Sequence, residues 1–196
     1  RVPRERGFNE RDSGRYAAGG FVFGVPGACA MYRKAMLEDV RDANGYFDER
    51  FGMFYEDFDL SWRAHNKGWK AYYVPGAVGY HRRGASAHTR TPAFGFLNRY
   101  CFARLSDPLK ARCIRNRYLA IRKNDSAARF MKDLVFIAGY DCKLYAYLLI
   151  FSPRSLFKVF ERRLPELDVA ATTGSSGAAT ASLPQAGKGE IGEMVR

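Results

Sequence analysis

The alternation of apolar and polar stretches marks out the elements of this chain. Residues 1–20 are polar and rich in Gly and Arg, and predict a loop. Residues 21–32 (Phe-Val-Phe-Gly-Val-Pro-Gly-Ala-Cys-Ala-Met-Tyr) read as extended chain broken at Pro26-Gly27, with a short helix expected at about 33–41. Asn44-Gly45 marks a turn. From about Asp57 a helix is expected to run to Gly68, a residue suited to the position just past a helix end. Strand-like residues follow at 69–74, Pro75-Gly76 punctuates the chain, and a second short strand is expected to end at His81. This order of strands and helices predicts an α/β fold.

Residues 82–95 read as a basic loop. Asp107-Pro108 has the form of a helix start, with Pro at the first helical position. Leu109, Ile114, Tyr118 and Ile121 then share one face, amid Lys110, Arg112, Arg115, Arg117, Arg122 and Lys123. Residues 134–151 are apolar except for Asp141 and Lys143. Their length is near the lower limit for a bilayer span, but each central charge costs about 2.5–3.5 kcal/mol there. A packed or interfacial helix is the expectation. Ser152-Pro153 begins another helix, with Leu156, Phe157, Phe160 and Leu164 on one face and Arg154, Lys158, Arg162 and Arg163 around it. Such a helix lies on an anionic membrane or packs on its own domain. Past Pro165 the chain turns to Ala, Gly, Ser and Thr, and residues 168–196 are expected to be a disordered tail.

Charge narrows the partners. Lys and Arg number 32 against 20 Asp and Glu, a net +12. That excess suits nucleic acid, a diphosphate substrate or an anionic membrane surface. No nucleic-acid fold signature is present, so nucleic acid is not expected. A hydrophobic content of 47% excludes a wholly disordered chain. Cys29, Cys101, Cys113 and Cys142 form no CxxC pair, which argues against a zinc site or disulfide framework. Buried free thiols in a reducing cytoplasm are the expectation. The chain begins at Arg1 with no basic-then-apolar leader, which predicts a fragment, a truncated reading or a processed start.

The candidate chemistry is an acidic cluster set among aromatics. Asp48 and Glu49, then Glu56, Asp57 and Asp59, stand among Tyr46, Phe47, Phe51, Phe54, Tyr55, Phe58 and Trp62. Aromatic surroundings desolvate a carboxylate and raise its pKa, whereas a helix N-terminus pulls the other way. Asp59 and Arg63, four apart, share a helix face and can pair. Glu56 lies near that face too. Spacing alone leaves a capped, ion-paired helix start with no chemistry on equal terms.

A longer pattern decides between them. Phe47-Asp48-Glu49, Tyr55-Glu56-Asp57-Phe58-Asp59-Leu60-Ser61-Trp62-Arg63, Gly68-Trp69-Lys70, Tyr73-Val74-Pro75-Gly76-Ala77 and His81 follow one another in order. Together with Gly27-Ala28-Cys29-Ala30-Met31-Tyr32-Arg33 before them, they resemble family 2 glycosyltransferases, of the bacterial rhamnosyltransferase-like and galactofuranosyltransferase-like kind. The resemblance covers about residues 19–125.

It implies the C-terminal half of a GT-A nucleotide-sugar transferase domain, over 21–106, followed by basic and apolar helices over 107–167. Asp57 would be the general base of an inverting transfer from a nucleotide-sugar donor to a saccharide or lipid-linked glycan acceptor. Glu56, Asp59 and Trp62 would shape its surroundings or contact the acceptor, with Arg63 holding the acids. His81 would complete the shell of a divalent metal, Mn2+ or Mg2+. Asp57-Phe58-Asp59 is not itself the metal motif, which in the family follows an apolar strand upstream. The first half of such a domain is not found in residues 1–20. Arg115-Asn116-Arg117-Tyr118 also resembles a segment seen after the catalytic domain, where Arg115 and Arg117 would contact a lipid diphosphate or form a solvated basic face. The resemblance further implies bacterial cell-surface polysaccharide synthesis at the inner, cytoplasmic face of the plasma membrane. An inactive fragment, or a basic membrane- or nucleic-acid-binding module, is the alternative.

Overall fold

The computed structural model describes residues 1–8, 10–79 and 105–161. His81, the basic loop at 82–95 and the tail at 168–196 lie outside the described residues.

Strand β1 (Gly20–Val22) pairs antiparallel with β2 (Ala71–Tyr73), Gly20 opposite Tyr73 and Val22 opposite Ala71. Among the described residues these form a single two-stranded sheet, so the α/β expectation holds in a helix-rich form. Extended chain expected over 21–32 stops early for two reasons. Gly24 packs against the helix behind it, and Pro26 has no N–H to give a ladder. Residues 27–29 instead form one 3-10 turn. β2 is shorter than the expected 69–74 because Trp69 turns its indole N–H to Asp39 at 2.8 Å. Residues 75–79 are turn and irregular chain.

Helices α1 (Lys34–Val40) and α2 (Glu56–Asn66) pack through Met36, Val40, Leu60 and Ala64, sealed by Tyr32, Leu37 and Trp69. Burial of each large apolar side chain there contributes about 1.5–3 kcal/mol. Gly68, at φ +85°, ends α2 in the left-handed geometry that glycine adopts without strain.

Helix α3 (Asp107–Asn124) carries Pro108 in its first turn and buries Leu109, Ile114 and Ile121, as their spacing predicts. Its basic residues do not form one solvated face. Lys110 and Arg117 are buried. Lys110 Nζ donates to Ser152 Oγ at 2.9 Å, and Arg117 pairs with Asp141 at 2.5 Å and lies over the Tyr140 ring.

Helices α4 (Ala127–Lys132), α5 (Leu134–Phe151) and α6 (Pro153–Phe160) complete the described chain. Helix α6 packs on α3, where Ser155 Oγ donates to Asp107 at 2.5 Å. By length and composition α5 is apolar enough to cross a membrane, with mean hydropathy 1.6, yet only 11% of it is buried. Val135, Phe136, Leu149, Ile150 and Phe151 on α5, and Phe157 and Phe160 on α6, are exposed. Cys29 and Cys142 are exposed free thiols and Cys113 is half-buried, which corrects the expectation of buried cysteines.

Candidate active site

Asp57 lies half-buried in the first turn of α2. Its Oδ2 accepts from the backbone N–H of Gly27 at 2.9 Å, and its Oδ1 accepts from the Phe58 N–H at 2.7 Å. A carboxylate oxygen has two lone pairs, so each keeps capacity for a hydroxyl donor. The loop reaches Asp57 because Gly24 crosses α2 closely. A Cβ there would stand 2.3 Å from Ser61 Oγ and 2.4 Å from Ser61 Cβ. The segment before the acidic motif and the motif itself therefore close on one another.

Glu56 is the other carboxyl at this helix end. Its Oε2 is buried with no hydrogen-bond partner, and so is the Tyr32 hydroxyl. Burial pushes the Glu56 carboxyl up; its own backbone hydrogen bond pulls it down, and the Asp57 charge pushes it up again, leaving it raised. Burial likewise pushes the Tyr32 phenol up, with the charges of Asp57 and Glu56 behind it. Both orphaned oxygens lie within electrostatic reach of Asp57. Each costs about 1–3 kcal/mol while unpaired, so a hydroxyl-bearing ligand here would relieve a standing penalty. Burial pushes the Cys113 thiol on α3 up to about 12, and that thiol is inert as a nucleophile.

Asp59 is placed otherwise. It is fully buried. Its Oδ2 accepts from Arg63 Nε at 2.9 Å and Lys123 Nζ at 3.0 Å, and its Oδ1 accepts from Asn124 Nδ2 at 2.7 Å. No face is left for an acceptor, which corrects that part of the expectation. The Asp59–Arg63 pairing itself follows the predicted spacing. Arg63 spends its other donors on the carbonyls of Val40 at 2.6 Å and Tyr46 at 2.5 Å, and so holds Asp59 but not Glu56. Lys123 also bridges Asp42 at 2.9 Å and Asp48 at 3.0 Å. Burial alone would lower the Lys123 pKa, but hydrogen bonds to these three carboxylates outweigh it and raise it. Asp48 is held well below the usual carboxylate range, first by Arg50 and then by Lys123, against burial.

Trp62 is buried, 5.3 Å from the Phe58 ring and 6.4 Å from that of Phe23. It supports an aromatic wall and does not itself present a surface to an acceptor. Phe23, exposed, and Phe58, half-buried, form the outer part of that wall, with His65 against Phe23 at 5.0 Å.

Asn116, buried on α3, holds the approach to α2. Its side-chain amide donates to the carbonyls of Phe51 at 2.8 Å, Met53 at 2.9 Å and Phe54 at 2.7 Å. Phe54 and Tyr55 have φ +71° and +73°, a left-handed conformation that costs non-glycine residues about 1–3 kcal/mol each. Tertiary contacts must hold such a turn in place, and Asn116 supplies three.

Arg115 lines an open cavity beside this loop, whereas Arg117 is buried against Asp141. The structure does not bring those two together on one surface. His81 lies outside the described residues. Among the described residues no group of three or more His, Cys, Asp or Glu side chains is placed to hold a metal ion, and the carboxylates of Asp42, Asp48 and Asp59 already share the Lys123 ammonium. The described side chains alone do not fit a metal.

Over residues 9–110 the sequence matches the family described as Glycosyl transferase family group 2. The chain belongs to that family. It is 39% identical over 69 residues to N-acetylglucosaminyl-diphospho-decaprenol L-rhamnosyltransferase of Mycobacterium tuberculosis, in both strain CDC 1551 / Oshkosh and strain ATCC 25618 / H37Rv. That match covers 35% of this chain and 21% of the relative, so the chain spans about a fifth of the length of these curated relatives. No solved structure matches it.

The family assignment agrees with the resemblance carried by the acidic motif. Sequence reasoning did not single out Tyr32, Phe23, Lys123 or Asn124, nor give Asn116 a role. Asn116 sits in Arg115-Asn116-Arg117-Tyr118, where the sequence shows only a polar residue between two arginines and its burial appears only in the fold.

Proposed function

We propose that the protein to which this chain belongs transfers a sugar, with inversion, from a nucleotide-sugar donor to a hydroxyl of a lipid-linked saccharide, and that Asp57 is the base. The observation that carries this reading is the Asp57 carboxylate itself, fixed by the Gly27 N–H at 2.9 Å at the join of the two family segments. A free lone pair on that carboxylate accepts the proton of the acceptor hydroxyl. The acceptor oxygen forms its bond to the anomeric carbon from the face opposite the leaving group. The anomeric C–O bond breaks, and its electron pair leaves with the nucleoside diphosphate. Glu56 and the Tyr32 hydroxyl flank the acceptor, and the Phe23–Phe58 wall receives the apolar face of its sugar ring. Asp59, Arg63 and Trp62 position the helix end from behind.

The lipid-linked acceptor follows from the name of the mycobacterial relative, an N-acetylglucosaminyl-diphospho-decaprenol L-rhamnosyltransferase, with which the chain aligns over 69 residues. A role in cell-surface polysaccharide synthesis, a GT-A domain and a cytoplasmic site at the inner face of the plasma membrane belong to the same reading. The exposed apolar side chains of α5 and α6, edged by Arg129, Lys132, Arg154 and Lys158, support contact with an anionic bilayer. A divalent metal, Mn2+ or Mg2+, with His81 among its ligands, would supply neutralisation of the departing diphosphate; family membership supports it.

The test is sugar-nucleotide turnover by the full-length protein and its Asp57→Asn variant. A loss of about 10²–10⁴-fold in kcat with an unchanged unfolding temperature is expected for a missing base. Unchanged turnover removes Asp57 from that role. Chelation followed by re-addition of Mn2+ or Mg2+ tests the metal, and His81→Ala should weaken its binding.

A further inference from the structure

Asn116 and Arg117 are neighbours on α3, about 100° apart around its axis, and both are buried. They serve different parts of the molecule. Asn116 Nδ2 donates to the carbonyls of Phe51, Met53 and Phe54 at 2.8, 2.9 and 2.7 Å, on the loop that leads into Asp57. Arg117 meets α5. Its Nη1 pairs with Asp141 at 2.5 Å, its Nε donates to the Arg1 carbonyl at 3.0 Å, and its guanidinium lies over the rings of Tyr118 and Tyr140, 5.2 and 4.7 Å from their centres. Among the described residues Asp141 is the one carboxylate paired with Arg117. Arg117 is only 2% exposed, and its Nη2 is buried without a hydrogen-bond partner, so this guanidinium is already one partner short. Helix α5 packs mainly on α6 and α4, and its polar tie to α3 is this ion pair. Both partners lie beyond residues 9–110, the stretch that matches the family.

We infer that Arg117 and Asp141 are positioning residues for the transfer: by fastening α5 to α3 the pair sets the place of Asn116, and Asn116 sets the turn that presents Asp57. This role rests on the proposed one of Asp57 as base. Loss of the Asp141 charge leaves a buried guanidinium unbalanced, and α3 shifts to bring it towards water. The three Asn116 bonds leave one nitrogen, so a shift of α3 by about 0.5 Å lengthens them together towards the limit near 3.2 Å, where they weaken. Phe54 and Tyr55, at φ +71° and +73°, then relax from their left-handed form, and Asp57, two residues on, moves with them.

Hydrogen exchange at single amides of the full-length protein tests the tie without requiring turnover. In Asp141→Asn the Phe58 and Asp59 N–H groups, bonded to Asp57 Oδ1 at 2.7 Å and the Tyr55 carbonyl at 2.8 Å, should exchange about tenfold or more faster than in wild type. The Trp69 N–H, bonded to the Ala64 carbonyl at the far end of α2, should change by less than about twofold. Equal acceleration at all three, the mark of a general loss of stability, overturns the inference, and so does no acceleration at the first two. Steady-state turnover gives the second readout. Asp141→Asn should lower kcat by about tenfold and leave KM within about twofold. In an Asn116→Leu background the same change should lower kcat by less than about twofold, because the path through Asn116 is already cut. An equal fall in both backgrounds, or a kcat unmoved in the wild-type background, overturns the inference. If Asp141→Asn does not fold, Asp141→Glu keeps the charge but displaces it by one methylene. It should still speed exchange at Phe58 and Asp59 severalfold, and unchanged exchange again overturns the inference. A wild-type protein that transfers no sugar, while its variants show the local acceleration, defeats the proposed function and leaves the mechanical tie standing.

Discussion

The side-chain amide of Asn116 donates to the backbone carbonyl of Phe54 at 2.7 Å, across 62 residues of sequence. This bond joins α3 to the left-handed turn from which α2 and its acidic pair begin. Replacing Asn116 with Leu leaves three carbonyls without that donor. The expected cost is about 2–4 kcal/mol of stability, from unpaired buried acceptors. Misplacement of Asp57 should lower kcat by about 10²-fold, with a smaller change in KM. Thermal unfolding and steady-state turnover of the full-length protein measure the two effects separately.

Lys123 is the shared counter-charge for Asp42, Asp48 and Asp59. Lys123→Met should destabilise by about 1–3 kcal/mol at pH 7, because three carboxylates lose a shared charged donor while Asp48 keeps Arg50 and Asp59 keeps Arg63 and Asn124. The cost depends on pH with a definite sign. Asp42 and Asp48 are both held low in the folded chain. Their stabilisation is complete above the unfolded carboxylate pKa, about 3.9, and is lost as pH falls from there towards their folded values. The gap between wild type and variant should therefore narrow on going from pH 7 to pH 3. Urea unfolding at both pH values checks it.

Gly24 and Ser61 form a close backbone-to-side-chain crossing, and a cycle of substitutions should expose it. Gly24→Ala alone places a methyl 2.4 Å from Ser61 Cβ and should cost about 1–3 kcal/mol by overpacking. It should also lift the Gly27 N–H from Asp57 and reduce turnover. Ser61→Gly removes the obstructing atoms, and the double variant should recover most of the overpacking loss. Additive single effects, with no coupling energy, would show that the crossing does not set the loop's position.

Phe157 and Phe160 are exposed on α6. Phe157→Asp/Phe160→Asp should leave the unfolding temperature within a few degrees of wild type, as exposed substitutions do. The same change should abolish sedimentation with vesicles containing anionic lipid if α5 and α6 lie on a bilayer. Vesicle binding that survives it removes α6 from the contact.

Glu56→Gln gives a further test of opposite sign. Burial raises the folded pKa of Glu56, so ionisation opposes folding once pH rises through the unfolded carboxylate pKa. The variant should be more thermostable than wild type at pH 7, with the advantage vanishing below about pH 4.

Local features of the fold could be read from sequence because they depend on neighbours along the chain. The Asp59–Arg63 pair, the end of α2 before Gly68, the start of α3 near Pro108 and its Leu109–Ile114–Ile121 face all follow from spacing or from one residue's backbone preferences. Spacing names a face but not the partner that covers it. Lys123 meeting Asp59 and Arg117 meeting Asp141 therefore could not be foreseen from periodicity. The same limit explains why Arg117 read as a surface contact: a basic run on a helix looks solvated until a carboxylate from another helix is set against it. The family pattern picked out Asp57 and Glu56, whereas the phenol of Tyr32 and the ring of Phe23 reach them only through the crossing at Gly24. The short strands show propensity yielding to a side-chain contact, where Trp69 bonds to Asp39 and β2 begins only at Ala71.

The family match stops at residue 110, in the first turn of α3, yet Asn116, Lys123 and Asn124 lie beyond it. A chain cut at that point would keep the whole acidic motif and lose every α3 donor that anchors it. Asp48 and Asp59 would then face each other across a gap with no lysine between them, and the turn at Phe54 and Tyr55 would be free to relax out of its left-handed form. Residues 9–110, the stretch that matches the family, thus lack the donors that anchor the motif: the motif is written in α2, but the rigidity that makes it usable is supplied from α3.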